Sequence, residues 1–431
     1  MQVPCLMPQL QGEPCFERMR RQLSVLSKAK RALYRTMDNK PELQRARSHT
    51  DALFQLVAPE TLYERPVPAR HRLIFYVGHL EAFDWNQLPR GVLGKPSFDP
   101  TFDTLFEAGI DPPPGQAPQD TAADWPTLEA VRDYVARARA GVDETWNLIP
   151  AERQQMVLEH RWMHAETICY LLHQLDPALK TRPDADRQPD AAAPIPQFIR
   201  VPAGPTQLGQ SNGEFGWDNE FPAHTESVSS FEISKHKVTN AEYLRFVEAG
   251  GPAPFFWRER DGAWRLRRMF DELPLPLDAP VYATHKQATA YAQWADAALP
   301  TEAEWHRAAY QDNQQAYPWG NAVPTRTRGN FDFVDWDPVA VTAHPAGDSS
   351  HGVSQMIGNG WEWTSTPFAG FDGFQPSSYY PGYSANFFDD DHFVLKGGSP
   401  VTPRRLLRRS FRNWFREDYP YVYSTIRLVR R

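Results

Sequence analysis

His160 and His164 stand four residues apart in His160-Arg161-Trp162-Met163-His164-Ala165-Glu166, inside the periodic stretch Met156–Leu175. On a helix, positions i and i+4 share one face, so two imidazole nitrogens there can reach a single metal ion. By itself such a pair also fits two polar positions on a half-buried helix. A third histidine, His79, lies in the apolar segment Phe75-Tyr76-Val77-Gly78-His79-Leu80-Glu81-Ala82-Phe83. Two helices packed antiparallel bring all three imidazoles together. Three neutral nitrogen ligands with open positions suit a divalent ion that binds substrate or O2, and zinc fits the same residues as well as iron does. Glu166 reads as a carboxylate that orients a ligand histidine rather than as a ligand.

These side chains need elements to hold them. Apolar residues at three-to-four spacing, as in Leu128, Val131, Tyr134 and Val135, predict helices over 14–60 and 122–178. From 181 to 195 the chain turns to Pro, Ala, Asp and Arg, a composition that buries little surface and reads as a linker. The expected organisation is a helical domain over 1–180 and a second domain over 196–431. In the latter, short β-prone stretches at 198–201, 228–233 and 392–395 alternate with Gly-, Asn- and Pro-bearing loops, with short helices near 239–248 and 286–297. The expected fold class is α+β and multidomain.

Composition narrows the function. Hydrophobic residues at 41 % and aromatics at 13 % can build two cores and exclude a disordered chain. A net charge of -7 with no dense basic block argues against nucleic acid as a partner. No signal-type leader and no apolar run of membrane-spanning length is present, so a cytoplasmic protein without a membrane partner is expected. Cys5, Cys15 and Cys169 have spacings that suit neither a disulfide framework nor a Cys-x-x-Cys metal site, which fits a reducing compartment.

Longer motifs carry a family resemblance. Val238-Thr239-Asn240-Ala241-Glu242-Tyr243, Leu299-Pro300-Thr301-Glu302-Ala303-Glu304-Trp305, Tyr317-Pro318-Trp319-Gly320-Asn321, Gly358-Asn359-Gly360-Trp361-Glu362-Trp363-Thr364 and Gly397-Gly398-Ser399 resemble the domain of formylglycine-generating enzymes, an irregular α+β, C-type-lectin-like fold, over 196–431. Those enzymes oxidise a substrate cysteine through paired cysteines near the C-terminus. No cysteine follows Cys169 here, so that activity is excluded on residue chemistry. The first half resembles a DinB-type helical bundle, and the fusion resembles the ergothioneine-biosynthesis sulfoxide synthases.

That resemblance implies non-haem iron(II) held by His79, His160 and His164. With O2, it would join a sulfur donor to the imidazole of hercynine. Ser410-Phe411-Arg412-Asn413-Trp414-Phe415-Arg416 matches the segment that lines the hercynine site in that family. Asn413 would then hydrogen-bond the carboxylate or ring, and Trp414 or Phe415 would face the trimethylammonium group, a contact worth roughly 0.5–2 kcal/mol. Bond formation also calls for a proton donor or radical relay, and Tyr379, Tyr380 and Tyr383 share a loop of the right domain, Tyr379 and Tyr380 being the catalytic candidates.

Departures from the family bear on the donor. No arginine occurs between Arg90 and Arg132, and Phe415 stands where the mycobacterial type has a carboxylate. An anionic dipeptide such as γ-glutamylcysteine would forgo charge-assisted bonds of roughly 1.5–3 kcal/mol each. The run Arg70–Asn86 resembles the branch that includes selenoneine synthase, whose donor is a neutral selenosugar, and Gln116 and Gln119 are candidate hydrogen-bonding partners for its hydroxyls. Met163 replaces the glutamine that the family commonly carries beside its second ligand. The first expectation is therefore carbon–selenium bond formation on hercynine. The alternatives are a sulfoxide synthase using cysteine or another thiol, and a non-catalytic ligand-binding module.

Overall fold

The computed structural model describes residues 39–107, 118–182, 192–310 and 315–431. The predicted helical stretch 14–38, Cys5, Cys15, Gln116 and most of the expected linker fall outside the described residues.

The first half is helical: α1 (Lys40–Phe54), α2 (Leu73–Trp85), the short α3 (Pro100–Leu105), α4 (Leu128–Thr145) and α5 (Ala151–Gln174). Thr127 caps α4 by accepting from the Ala130 N–H, and Pro150 precedes α5, where its fixed φ starts a helix at no hydrogen-bond cost. Every residue of α2 except Val77 is buried, which explains why it is apolar all round. α2 packs on α4 and α5, and α1 on α5. α2 and α5 run antiparallel, since Tyr76 adjoins His164 while Phe83 adjoins His160.

The second half holds four small sheets. Strands β1 (Phe198–Val201), β4 (Phe231–Ser234) and β12 (Val429–Arg430) form an antiparallel sheet that brings the end of the chain beside the start of this half. β2 (Gly204–Leu208) pairs with β3 (His224–Val228), and β5 (Trp257–Arg260), β6 (Ala263–Arg267) and β7 (Glu272–Pro274) form a meander. The fourth sheet has the order β10 (Asn413–Arg416), β9 (His392–Lys396), β8 (Trp361–Pro367), β11 (Ser424–Thr425). The stretch 228–233, expected as one strand, is divided: β3 ends at Val228 and β4 begins at Phe231 because the two pair with different partners.

Helices α6 (Asn240–Glu248), α7 (His285–Trp294) and α8 (Glu302–Ala309) each open with a capping box, Thr239 with Glu242, Thr284 with Gln287 and Thr301 with Glu304. α7 stops three residues short of the expected end, and α8 was not anticipated although its capping box sits inside a quoted motif. Behind β8, the buried Glu362 accepts from Lys237 at 2.5 Å, Arg427 at 2.7 Å and Trp305 at 2.8 Å. Gly360 has φ 133°, and a Cβ there would meet the Thr425 Cγ2 at 2.3 Å, so only glycine lets the chain enter β8 at Trp361. Among the described residues no helix is long and apolar enough to cross a membrane.

Candidate metal centre

α2 and α5 place His79, His160 and His164 in one buried cluster whose ligand atoms lie within 4.8 Å of one another. Nε2 of His164 is 3.2 Å from that of His79 and 3.1 Å from that of His160. The other nitrogen of His79, Nδ1, donates to the Phe106 carbonyl at 2.6 Å, which leaves Nε2 with its lone pair facing the cluster. Nδ1 of His160 and of His164 have no partner. Burial depresses all three imidazoles, His79 to about 4, with neighbouring imidazoles and Arg161 acting in the same direction, so the three are neutral ligands at pH 7. Among the described residues no carboxylate belongs to the cluster. Metal–nitrogen bonds of about 2.0–2.1 Å set ligand nitrogens on one ion about 3.0–3.4 Å apart, and the spacings of His164 to His79 and to His160 fall in that range.

Packing holds the two helices in this register. Arg161, fully buried on α5, reaches Glu81 at 2.9 Å and Asp84 at 2.7 Å on α2, and its charge is thereby compensated. Phe83 stacks on His160 at 3.5 Å between centroids, and Phe75 stacks on His79 at 4.8 Å. Gly78 allows the close approach of Phe106, whose ring atoms lie 2.5 Å from where a Cβ would sit. Gly78→Ala is therefore expected to displace Phe106 and its carbonyl, freeing the His79 ring. Overpacking of this kind costs about 1–3 kcal/mol, and weaker metal affinity on calorimetric titration would accompany it.

The second half covers the cluster with aromatic residues. Tyr383 donates its hydroxyl to Sδ of Met163 at 3.2 Å, between the two ligand positions of α5. Trp217 stacks on Tyr383 at 4.0 Å, and its indole N–H donates to Glu159 at 3.0 Å. Tyr380 stands edge-on to Phe83 at 5.5 Å, so it is one ring removed from His160. Tyr379 points elsewhere: it is 46 % exposed and lies under the Arg153 guanidinium. Of the three tyrosines in the loop, Tyr383 makes the most direct contact with the ligand helix.

The expected three-residue receptor is split by the alternation of β10, which sends Asn413 and Phe415 to one face and Trp414 to the other. Trp414 stacks on Phe368 at 4.2 Å and meets Tyr383 edge-on at 5.3 Å. Phe415 stacks on Tyr419 at 5.1 Å, near Tyr170. Asn413 spends its side-chain oxygen on the Trp414 N–H at 3.0 Å. Gln119 is exposed, beside Asp120, which pairs with Arg65 and Arg72, and it does not join the aromatic cluster.

Glu166 does not orient a ligand histidine. It accepts from Trp361 Nε1 at 2.8 Å, Ser399 at 2.7 Å, Thr402 at 2.9 Å and the Tyr170 hydroxyl. Trp361 and Ser399 belong to two of the motifs quoted above, so this carboxylate joins the helical half to the loops of the other half. Burial raises its pKa, and the four donors oppose that shift. The sequence reading also missed Arg70. This buried cation lies over the Tyr419 ring at 5.5 Å, and its charge helps depress His164. It arrives from the segment before α2, outside the interval searched for arginines. Trp217 was missed because nothing local marks it.

Comparison with known proteins now bears on this geometry. Residues 183–431 match the sulfatase-modifying factor enzyme 1-like domain family. The hercynine oxygenase of Mycolicibacterium smegmatis is 35 % identical over 69 % of this chain and 77 % of its own length, and that of Mycolicibacterium thermoresistibile is 31 % identical over 84 % and 88 %. Ergothioneine biosynthesis protein 1 of Neurospora crassa is 26 % identical over 87 % of this chain and 56 % of its own. The chain belongs to the sulfatase-modifying factor enzyme 1-like family, in the group of the hercynine oxygenases.

Proposed function

We propose that the protein is an iron(II)- and O2-dependent oxidoreductase that joins selenium of a selenosugar to the imidazole carbon of hercynine, giving selenoneine. The observation that carries this reading is the convergence of His79, His160 and His164 on one point, in a chain related to hercynine oxygenases. Iron(II), held by the three imidazoles, would supply O2 activation at its open positions. The protein's own groups do the rest. Trp414, Tyr383 and Phe387 offer ring faces to the trimethylammonium cation, and Arg70 offers a cation to the hercynine carboxylate. Tyr383 or Tyr380 would hold and deliver a proton at its phenol oxygen; burial raises both pKa values, which keeps the phenols protonated at pH 7. Phe415, stacked on Tyr419, brings no charge of its own to an anionic donor, which favours a neutral one. We read 1–180 as a DinB-like iron-binding domain joined by 181–195 to the domain at 196–431, in a reducing cytoplasm.

The test is anaerobic loading with iron(II), followed by O2, hercynine and each donor in turn, with mass detection of products. The selenosugar is expected to give the highest kcat/KM, with γ-glutamylcysteine the poorest donor. If γ-glutamylcysteine were best, the donor assignment would be wrong while the iron site could stand. If cysteine were best, a sulfoxide synthase would replace the selenium reading. A metal-free protein that binds hercynine without turnover would point to a binding module.

Thiol chemistry has no place in this scheme. Cys169 is fully buried and its pKa is raised well above the ordinary value, by burial first and Glu166 second. A Cys169→Ala variant is expected to keep wild-type kcat. Loss of turnover in a folded, iron-loaded variant would reveal a missed thiol intermediate.

A further inference from the structure

Met163 stands on α5 between the ligand positions His160 and His164, and it is half-buried. The other methionines among the described residues, Met156, Met269 and Met356, are buried, at 4 %, 0 % and 0 % exposure. Met163 therefore carries the one thioether among the described residues that solvent reaches to any extent. The aromatic residues around this side of α5 are open as well. Tyr380, Tyr383, Phe387 and Trp414 are all half-buried, whereas the three histidines beneath them are buried.

The sulfur is held in a particular way. It has two lone pairs, and the Tyr383 hydroxyl donates to one of them at 3.2 Å, a bond to a weak acceptor. The other is available to an oxidant. Hydrogen peroxide transfers one oxygen atom to a thioether, which gives up two electrons and becomes a sulfoxide while the peroxide leaves as water. No metal and no further reductant enters that balance. The product is polar where the side chain was apolar, and its oxygen accepts hydrogen bonds far better than sulfur does.

The new oxygen stands on the lone pair that Tyr383 does not use, so the phenol has to leave its present place to reach it. That place is fixed by packing. Tyr383 stacks on Trp217 at 4.0 Å and meets Trp414 edge-on at 5.3 Å, and Trp217 is itself anchored by donating its indole N–H to Glu159 at 3.0 Å. A shift of the phenol is thus felt first at the Trp217 ring.

We propose that Met163 is a site of reversible oxidation, where peroxide forms the sulfoxide and the added oxygen draws the Tyr383 hydroxyl off the sulfur and its ring off Trp217. Reduction of the sulfoxide restores the stack. The consequence for turnover, an altered wall above the histidines, rests on the hercynine-modifying reading above. The modification does not.

The experiment uses the metal-free full chain, labelled with 5-fluorotryptophan and treated with hydrogen peroxide. Peptide mass mapping is expected to show Met163 gaining one oxygen atom about tenfold faster than Met156, Met269 and Met356. The fluorine resonance of Trp217, assigned by its loss in Trp217→Phe, should shift in step with that gain and return on treatment with methionine sulfoxide reductases of both epimer specificities. Met163→Leu keeps the volume and removes the sulfur, so its Trp217 resonance should not respond to peroxide. Met163→Gln supplies an amide oxygen as acceptor and should show a resonance displaced toward that of the oxidised protein before any peroxide is added. Oxidation of Met163 no faster than that of the three buried methionines would overturn the proposal, as would a sulfoxide that leaves Trp217 unmoved or an equal shift in Met163→Leu. If Met163 oxidises and Trp217 shifts as expected while hercynine is not a substrate, the modification stands and the reaction assignment falls.

Discussion

His160→Ala is expected to abolish stoichiometric iron binding and turnover together. The imidazole it removes supplies one of three nitrogens in a cluster to which, among the described residues, no carboxylate belongs that could compensate. The two remaining histidines would leave an ion held mainly by water, and the affinity should fall by about a hundredfold or more. His160 also stacks on Phe83, so the loss of the ring leaves a small void whose cost is separate from the metal. Elemental analysis after anaerobic loading, alongside circular dichroism, separates the two effects. A folded variant that still holds one iron per chain would remove His160 from the ligand set.

Glu166→Ala should produce the largest loss of stability. The alanine strands four buried donors, Trp361 Nε1, Ser399 Oγ, Thr402 Oγ1 and the Tyr170 hydroxyl, of which three come from the other half of the chain. Leaving such groups unpaired costs about 1–3 kcal/mol each, with relaxation of the hydroxyls bringing the sum to about 3–5 kcal/mol. Urea unfolding would report this as a lower midpoint, and limited proteolysis should cut more readily near the junction of the halves. Glu166→Gln keeps one acceptor oxygen and should fall between wild type and alanine. If the alanine variant unfolds at the wild-type midpoint, Glu166 does not join the halves.

Both experiments touch one seven-residue stretch of α5, whose two kinds of residue were unequally legible. The pairing of His160 with His164 follows from a periodicity of 3.6 residues, which fixes which side chains share a face without reference to the rest of the chain. The segment that became α2 shows no such period, because all of its residues but Val77 are buried. Glu166 looked like a partner of the ligand histidines beside it in sequence; apart from Tyr170, one turn on, its actual partners lie 195–236 residues away.

From its residues alone, this chain determined the two-part organisation, the three candidate metal ligands and the absence of thiol chemistry from the second half. These rest on local periodicity, residue type and composition, which need no knowledge of packing. The tertiary structure decided the rest. It chose Tyr383 as the tyrosine that meets Met163, split Asn413, Trp414 and Phe415 between two faces of β10, and placed Trp217 and Arg70 near the histidines. The physical reason is that residues of both halves meet in one buried core. Which loop residues face the seam depends on how the two halves fit, a matter of shape and of pairing buried polar groups that no short window of sequence contains.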